Sequence, residues 1–146
     1  GPLSPVEHYT ADEWATTLRI NLTGPFLLTQ PLLPLLAKVP DPTITFVSDT
    51  VGAEPQAYWG AYGVSKAGLE AFARILGQET EQAGIRVNTV EPGPVKTGMQ
   101  QEAFPALDPA GLADPADLAP LFLELVAPTG QPRKGERLRA ADHPGG

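Results

Sequence analysis

Apolar residues recur at helical spacing through residues 11–38, at Trp14, Leu18, Leu22 and Phe26 and then at Leu32, Leu33, Leu35 and Leu36. That periodicity predicts an amphipathic helix. Thr10 stands where an N-cap belongs, and Glu13 three residues later completes a capping box. Gly24-Pro25, Pro31 and Pro34 interrupt the stripe. Proline lacks a backbone donor and clashes one turn back, so the helix is expected to be kinked or segmented. The period then changes. Thr43-Ile44-Thr45-Phe46-Val47-Ser48 is short and rich in β-branched residues, behind the proline-containing segment 39–42, and reads as a buried strand. Residues 49–59 read as loop. Residues 61–82, rich in Ala, Leu and Glu and ended by Gly84, read as a strong helix. A second buried strand is expected at 85–90, halted by Pro92-Gly93. Beyond a proline-rich loop come a short amphipathic helix at 117–126, a weak strand at 135–140 and a closing loop.

The order helix, strand, helix, strand, helix, weak strand predicts an open α/β sheet with right-handed crossovers, in one domain. There is no internal repeat. The loop-rich segment 92–115 is expected to act as a flap over a site, with 94–115 shaping a substrate pocket.

Composition and charge narrow the function classes. The 146 residues carry a formal net charge of −7, with the basic residues scattered. That argues against a nucleic-acid or anionic-membrane surface. The absence of cysteine excludes disulfides, thiolate catalysis and zinc-thiolate sites. His8 and His143 lie near opposite ends and form no metal-ligand pattern. No apolar run approaches the roughly 18 residues of a membrane span and no signal peptide opens the chain, so a cytoplasmic protein is expected.

Tyr62-Gly63-Val64-Ser65-Lys66 places a phenol and an ammonium four residues apart, on one face of a helix. A lysine held there favours the tyrosinate and lowers the phenol from its usual value of about 10 toward the range of an acid/base catalyst. Taken alone, the spacing equally describes an exposed i,i+4 pair. Its surroundings add weight: one strand runs into Ser48-Asp49-Thr50-Val51-Gly52 and the other into Glu91-Pro92-Gly93-Pro94-Val95-Lys96-Thr97. Parallel strands put both carboxyl ends at one sheet edge, where open α/β folds bind ligands. Asn21 is an odd residue for a helix interior and suggests a polar contact.

With these segments in order, the chain resembles the short-chain dehydrogenase/reductase family from Gly1 nearly to its end. The matching pieces are Asn21-Leu22-Thr23-Gly24, the strand with its Ser/Thr-rich loop, Tyr62 with Lys66, Arg86-Val87-Asn88, and the run Pro92-Gly93-x-Val95-x-Thr97. The resemblance implies the carboxyl-terminal part of a Rossmann-type doubly wound parallel sheet, and oxidation or reduction of an alcohol/carbonyl pair with NAD or NADP. It implies that Tyr62 is the general acid/base, that Lys66 lowers its pKa and holds the nicotinamide ribose, and that Asn21 binds a water of the proton relay. It also implies that Pro92, Gly93, Val95 and Thr97 line the nicotinamide end, and that the helices at 11–38 and 61–82 pair in a homodimer or homotetramer.

Two departures stand out. The family's serine falls thirteen residues before the tyrosine, where this chain has Asp49 between Ser48 and Thr50. An ionised carboxylate accepts a hydrogen bond where the serine donates one, and its charge opposes the phenolate. A one-residue shift that brings Ser48 into the serine's place is the favoured expectation, with Thr50 or a protonated Asp49 as the others. The glycine-rich TGxxxGxG loop and the NNAG strand end are also missing, so the chain is expected to be part of a longer protein. On its own it is expected to leave an apolar edge open around residues 44–46. The competing expectation is a truncated, non-catalytic relative kept as an oligomerisation or binding module. Trp59 and Tyr58 are expected to pack or to line the substrate loop, and Glu54 and Glu91 to be solvated.

Overall fold

The computed structural model describes residues 3–127 and 132–143. Thr10 caps helix α1 (Ala11–Leu18), its hydroxyl accepting the Glu13 N–H while the Glu13 carboxylate accepts the Thr10 N–H, the expected box. The expected segmentation follows at once. Residues Arg19–Thr23 form a wide π turn before α2 (Gly24–Leu36). Pro25 supplies no N–H to the Asn21 carbonyl one turn back, and the Gly24 N–H reaches instead to the Arg19 carbonyl. Pro31 and Pro34 do not break α2. Both are exposed, as are residues 27 and 30, so water can take over the carbonyls they leave unpaired.

Strand β1 (Thr43–Val47) leads through Asp49 into a one-turn helix, α3 (Thr50–Ala53), in a region expected to be loop. Its cap explains the difference: Asp49 Oδ1 accepts the Val51 N–H at 3.2 Å. Helix α4 (Gly60–Glu79) and strand β2 (Arg86–Glu91) follow. Within the expected flap lies α5 (Gly98–Ala103), and α6 (Ala119–Val126) and β3 (Arg137–Arg139) close the described fold. The closing loop lies, from residue 144 on, outside the described residues.

The described strands form one parallel sheet in the order β1-β2-β3, with Thr43 opposite Arg86 and Thr89 opposite Arg137. All six residues of β2 are buried, because β2 has a strand on each side and helices on both faces. On one face Phe46, Val87 and Ile85 pack with Leu69, Ala73 and Leu76 of α4, supported by Leu22, Leu33 and Leu36. On the other, Val90 and Leu138 pack with Leu121 and Leu125 of α6. β1 was expected to be buried and is only half so: Phe46 is buried, while Val47 is 43% exposed. Its outer edge has no strand partner among the described residues, and a cleft of about 640 Å³ runs along it from Ile20 and Leu28 to Lys66.

Candidate active site

Tyr62 and Lys66 share the face of α4 that meets the carboxyl ends of β1 and β2. The Tyr62 ring is buried, between Trp59 (centroids 5.7 Å apart) and the Lys66 ammonium (5.5 Å from the ring centroid). Lys66 Nζ donates to the Val47 carbonyl at 2.9 Å, at the last residue of β1. Asn21 sits in the π turn, and its Nδ2 donates to Ser65 Oγ at 3.2 Å. That hydroxyl in turn donates to the Tyr62 carbonyl at 2.7 Å. Asn21, Tyr62 and Lys66 therefore come together across forty-four residues of sequence separation between Asn21 and Ser65.

Gly52 makes the close approach between loop and helix possible. A Cβ there would lie 2.8 Å from Ser48 Oγ, 2.9 Å from Glu70 Oε1 and 3.2 Å from the Lys66 carbonyl carbon. The loop can therefore carry Asp49 up to the phenol, and Tyr62 Oη donates to Asp49 Oδ2 at 3.1 Å. Burial raises the Tyr62 pKa well above its ordinary value, and the Asp49 charge and hydrogen bond raise it further. The lowering expected from Lys66 is thus reversed, chiefly because burial disfavours the phenolate and further because a carboxylate accepts the phenol's hydrogen bond. Burial also lowers the Lys66 pKa, with Asp49 acting in the opposite direction.

Ser48 does not take the place of the missing donor. Its hydroxyl is buried and donates to Glu70 Oε1 at 2.5 Å. Glu70 also accepts from Arg137 Nε at 3.0 Å, and Arg137 Nη2 lies 2.6 Å from Glu91 Oε2 as an ion pair whose angles fall short of a hydrogen bond. Thr50 Oγ1 donates to Glu91 Oε1 at 2.6 Å, so Thr50 is engaged as well. Glu91, expected to be solvated, is buried at 4% exposure. Burial alone would raise its pKa, but the Thr50 hydrogen bond and the charges of Arg137 and Arg139 prevail and lower it. Glu54 is exposed, as expected. The sequence reading missed this cluster, although Glu70 follows Lys66 by four residues and Tyr62 by eight. That spacing puts it on the same helical stripe.

Pro92 and Gly93 turn the chain at the carboxyl end of β2, with Gly93 at φ +71°. Val95 bridges to Ala113, and Thr97 Oγ1 accepts the Gln100 N–H at 3.2 Å and caps α5. Trp59 also packs on Phe104 of the expected flap, centroids 6.1 Å apart, so it acts as a packing residue. A cavity of about 410 Å³ reaches Tyr62 from Asp12, Glu13, Asn21 and Met99.

A nicotinamide ribose fits the donor set of this edge. An ammonium has three donors, and Lys66 directs one to Val47 beside the Pro92-Gly93 turn. The pyrophosphate has no glycine-rich turn in this sequence to hold it. Among the described residues no helix is long and apolar enough to cross a membrane.

The profile of the short chain dehydrogenase family matches residues 1–108. The uncharacterised oxidoreductase YciK of Escherichia coli is 37% identical over 135 residues, covering 92% of this chain and 53% of that protein. The 3-oxoacyl-(acyl-carrier-protein) reductase FabG of Vibrio cholerae is 33% identical over 135 residues, covering 87% and 55%. A short chain dehydrogenase from Shigella flexneri, solved in complex with NADP, superposes with a TM-score of 0.91 at 37% identity, covering 97% of this chain and 59% of that one. The chain thus spans about half the length of the curated relatives it matches.

Proposed function

Since the chain belongs to the short-chain dehydrogenase family, we propose that it supplies the proton-transfer half of a nicotinamide-dependent oxidoreductase acting on a small molecule. The observation that carries this reading is the assembly of Tyr62, Lys66 and Asn21 at the carboxyl ends of β1 and β2. The alcohol/carbonyl pair is the substrate class that the family resemblance implies. Bound NAD or NADP would supply hydride-transfer chemistry, with Lys66 toward its ribose and Pro92, Gly93, Val95 and Thr97 toward the nicotinamide end.

Tyr62 is the group that exchanges a proton with the reacting heteroatom, and Lys66 orients it from one turn away. Asn21 holds the start of α4 through Ser65, and its own carbonyl, freed by Pro25, is the relay point for a water. Ser48 is left out of this reading, because its hydroxyl serves Glu70. Exposed apolar side chains on α2 (Phe26, Leu27, Leu35) and on α4 (Val64, Ile75) support pairing of these helices in a homodimer or homotetramer.

Asp49 favours a second reading, a non-catalytic relative, because a carboxylate replaces the expected donor. Titration with NADH and NADPH, followed by turnover measurements, separates the two. The oxidoreductase reading expects saturable nicotinamide binding, and a turnover loss of about 10²–10⁴-fold in Tyr62→Phe with unchanged circular dichroism. Undiminished turnover in Tyr62→Phe removes Tyr62 from its role; no nicotinamide binding at all favours the non-catalytic reading.

A further inference from the structure

Asp49 carries a charge that its place in the fold does not require. Oδ1 caps α3 through the Val51 N–H, but serine and asparagine cap helices as well as aspartate does. No cation contacts it: among the described residues no ion pair within 4.0 Å includes Asp49, and Lys66 answers its charge only from beyond that distance. Arg137 reaches only the Asp49 carbonyl, at 3.5 Å, and directs its guanidinium to Glu70 and Glu91. Lys66 directs Nζ to Val47. A half-buried carboxylate with no cation in contact is costly.

The second oxygen, Oδ2, already accepts the Tyr62 proton. What the pair then offers a ligand is a carboxylate and a phenol oxygen, both acceptors. A carbonyl oxygen needs donors, whereas a protonated nitrogen needs acceptors. The cavity meets the pair at Tyr62 and not at Asp49, and its lining includes Asp12 and Glu13 and no basic side chain.

We propose that the Asp49–Tyr62 pair binds a protonated nitrogen, so that the substrate class of this site is an amine/imine pair rather than an alcohol/carbonyl pair. The proposal rests on the reading that Tyr62 marks the substrate site of a nicotinamide-dependent oxidoreductase. In the reducing direction its chemistry balances without the Tyr62 proton that Asp49 accepts in a hydrogen bond, and in the oxidising direction the pair takes the ammonium proton before hydride leaves. Adding a hydride to an iminium carbon, one hydrogen with two electrons, discharges the cation to a neutral amine and consumes no further proton. The same addition to a carbonyl leaves an alkoxide that must take the Tyr62 proton, and a phenolate would then stand 3.1 Å from a carboxylate.

Isothermal titration with benzylammonium and benzyl alcohol, two probes of nearly one shape, tests this on the protein as expressed, with any residues that precede Gly1 retained. The cation is expected to bind at least about tenfold more tightly than the alcohol. Asp49→Ser and Asp49→Asn should each remove that preference by weakening cation binding at least about tenfold. Asparagine keeps the α3 cap, so a folding failure of the serine variant does not spoil the test. Equal affinities, tighter alcohol binding, no binding of either probe, or a preference that survives both variants would overturn the proposal. NADPH consumption with cyclohexanone but none with 1-pyrroline would also overturn it, and would leave the oxidoreductase reading standing. Absence of nicotinamide binding would remove that reading, while Asp49-dependent cation binding would still be measurable on its own.

Discussion

Two sets of carboxylates lie on either side of the segment 48–50, and the fold treats them oppositely. On the β3 side, Glu70 and Glu91 are buried and share Arg137, with Ser48 and Thr50 filling further acceptor positions. On the Tyr62 side, Asp49 has a phenol and a helix cap but no cation within ion-pair distance among the described residues. The first arrangement is closed: Arg137, and Arg139 at 3.6 Å from Glu91, answer the two carboxylates inside the chain, and the hydroxyls of the loop are fixed. The second meets a cavity at Tyr62. Burial with compensation makes scaffold, and partial burial without it marks a place where chemistry is still to be supplied. One residue separates the two behaviours along the chain, because successive side chains leaving β1 point to opposite faces.

The largest way to break this comparison is to remove the shared cation. Arg137→Met leaves Glu70 buried without its cation and Glu91 with Arg139 alone, at 3.6 Å, and should cost about 3–5 kcal/mol of stability by urea denaturation. A loss below about 1 kcal/mol would show that the cluster is solvated in solution. A smaller effect is expected from pH. The Glu91 pKa is lowered in the fold, so its contribution is complete above the unfolded value of about 4.3 and is lost as pH falls through the lower folded value. The wild-type urea midpoint should therefore drop as pH falls from 5 to 3. In Arg137→Met the slope should flatten or reverse, since the Arg137 charge then no longer offsets the burial of Glu91. Parallel slopes in the two proteins would contradict the pairing.

Much of the site was legible in the sequence. The Thr10 cap, the helix and strand order, and the meeting of Asn21, Tyr62 and Lys66 follow from local periodicity together with the family spacing. What was not legible depends on contacts distant in sequence. Ser48 Oγ is turned by Glu70, twenty-two residues on, and no spacing rule links a loop serine to a glutamate on the next helix. Glu91 is buried because Arg137 on β3 meets it, and β3 was only a weak strand in the sequence pattern. The half-buried state of β1 was legible by contrast: its composition is that of a central strand, yet an open edge around residues 44–46 was expected, and the described residues supply β1 with one neighbour. Pro31 and Pro34 misled for the opposite reason. Their local cost is real, yet exposure lets water meet it, which only the packing reveals.

The most direct measurement of the central claim, that Asp49 holds the Tyr62 proton, is an ultraviolet phenolate titration in a Tyr9→Phe/Tyr58→Phe background, where Tyr62 is the remaining tyrosine. Its raised pKa means the phenol should stay protonated above pH 10, with stability full below that value and declining as pH rises toward the folded value. Asp49→Asn in the same background should bring phenolate formation to distinctly lower pH. Tyr62 ionising at or below pH 10 with Asp49 present, and unmoved by Asp49→Asn, would contradict the account.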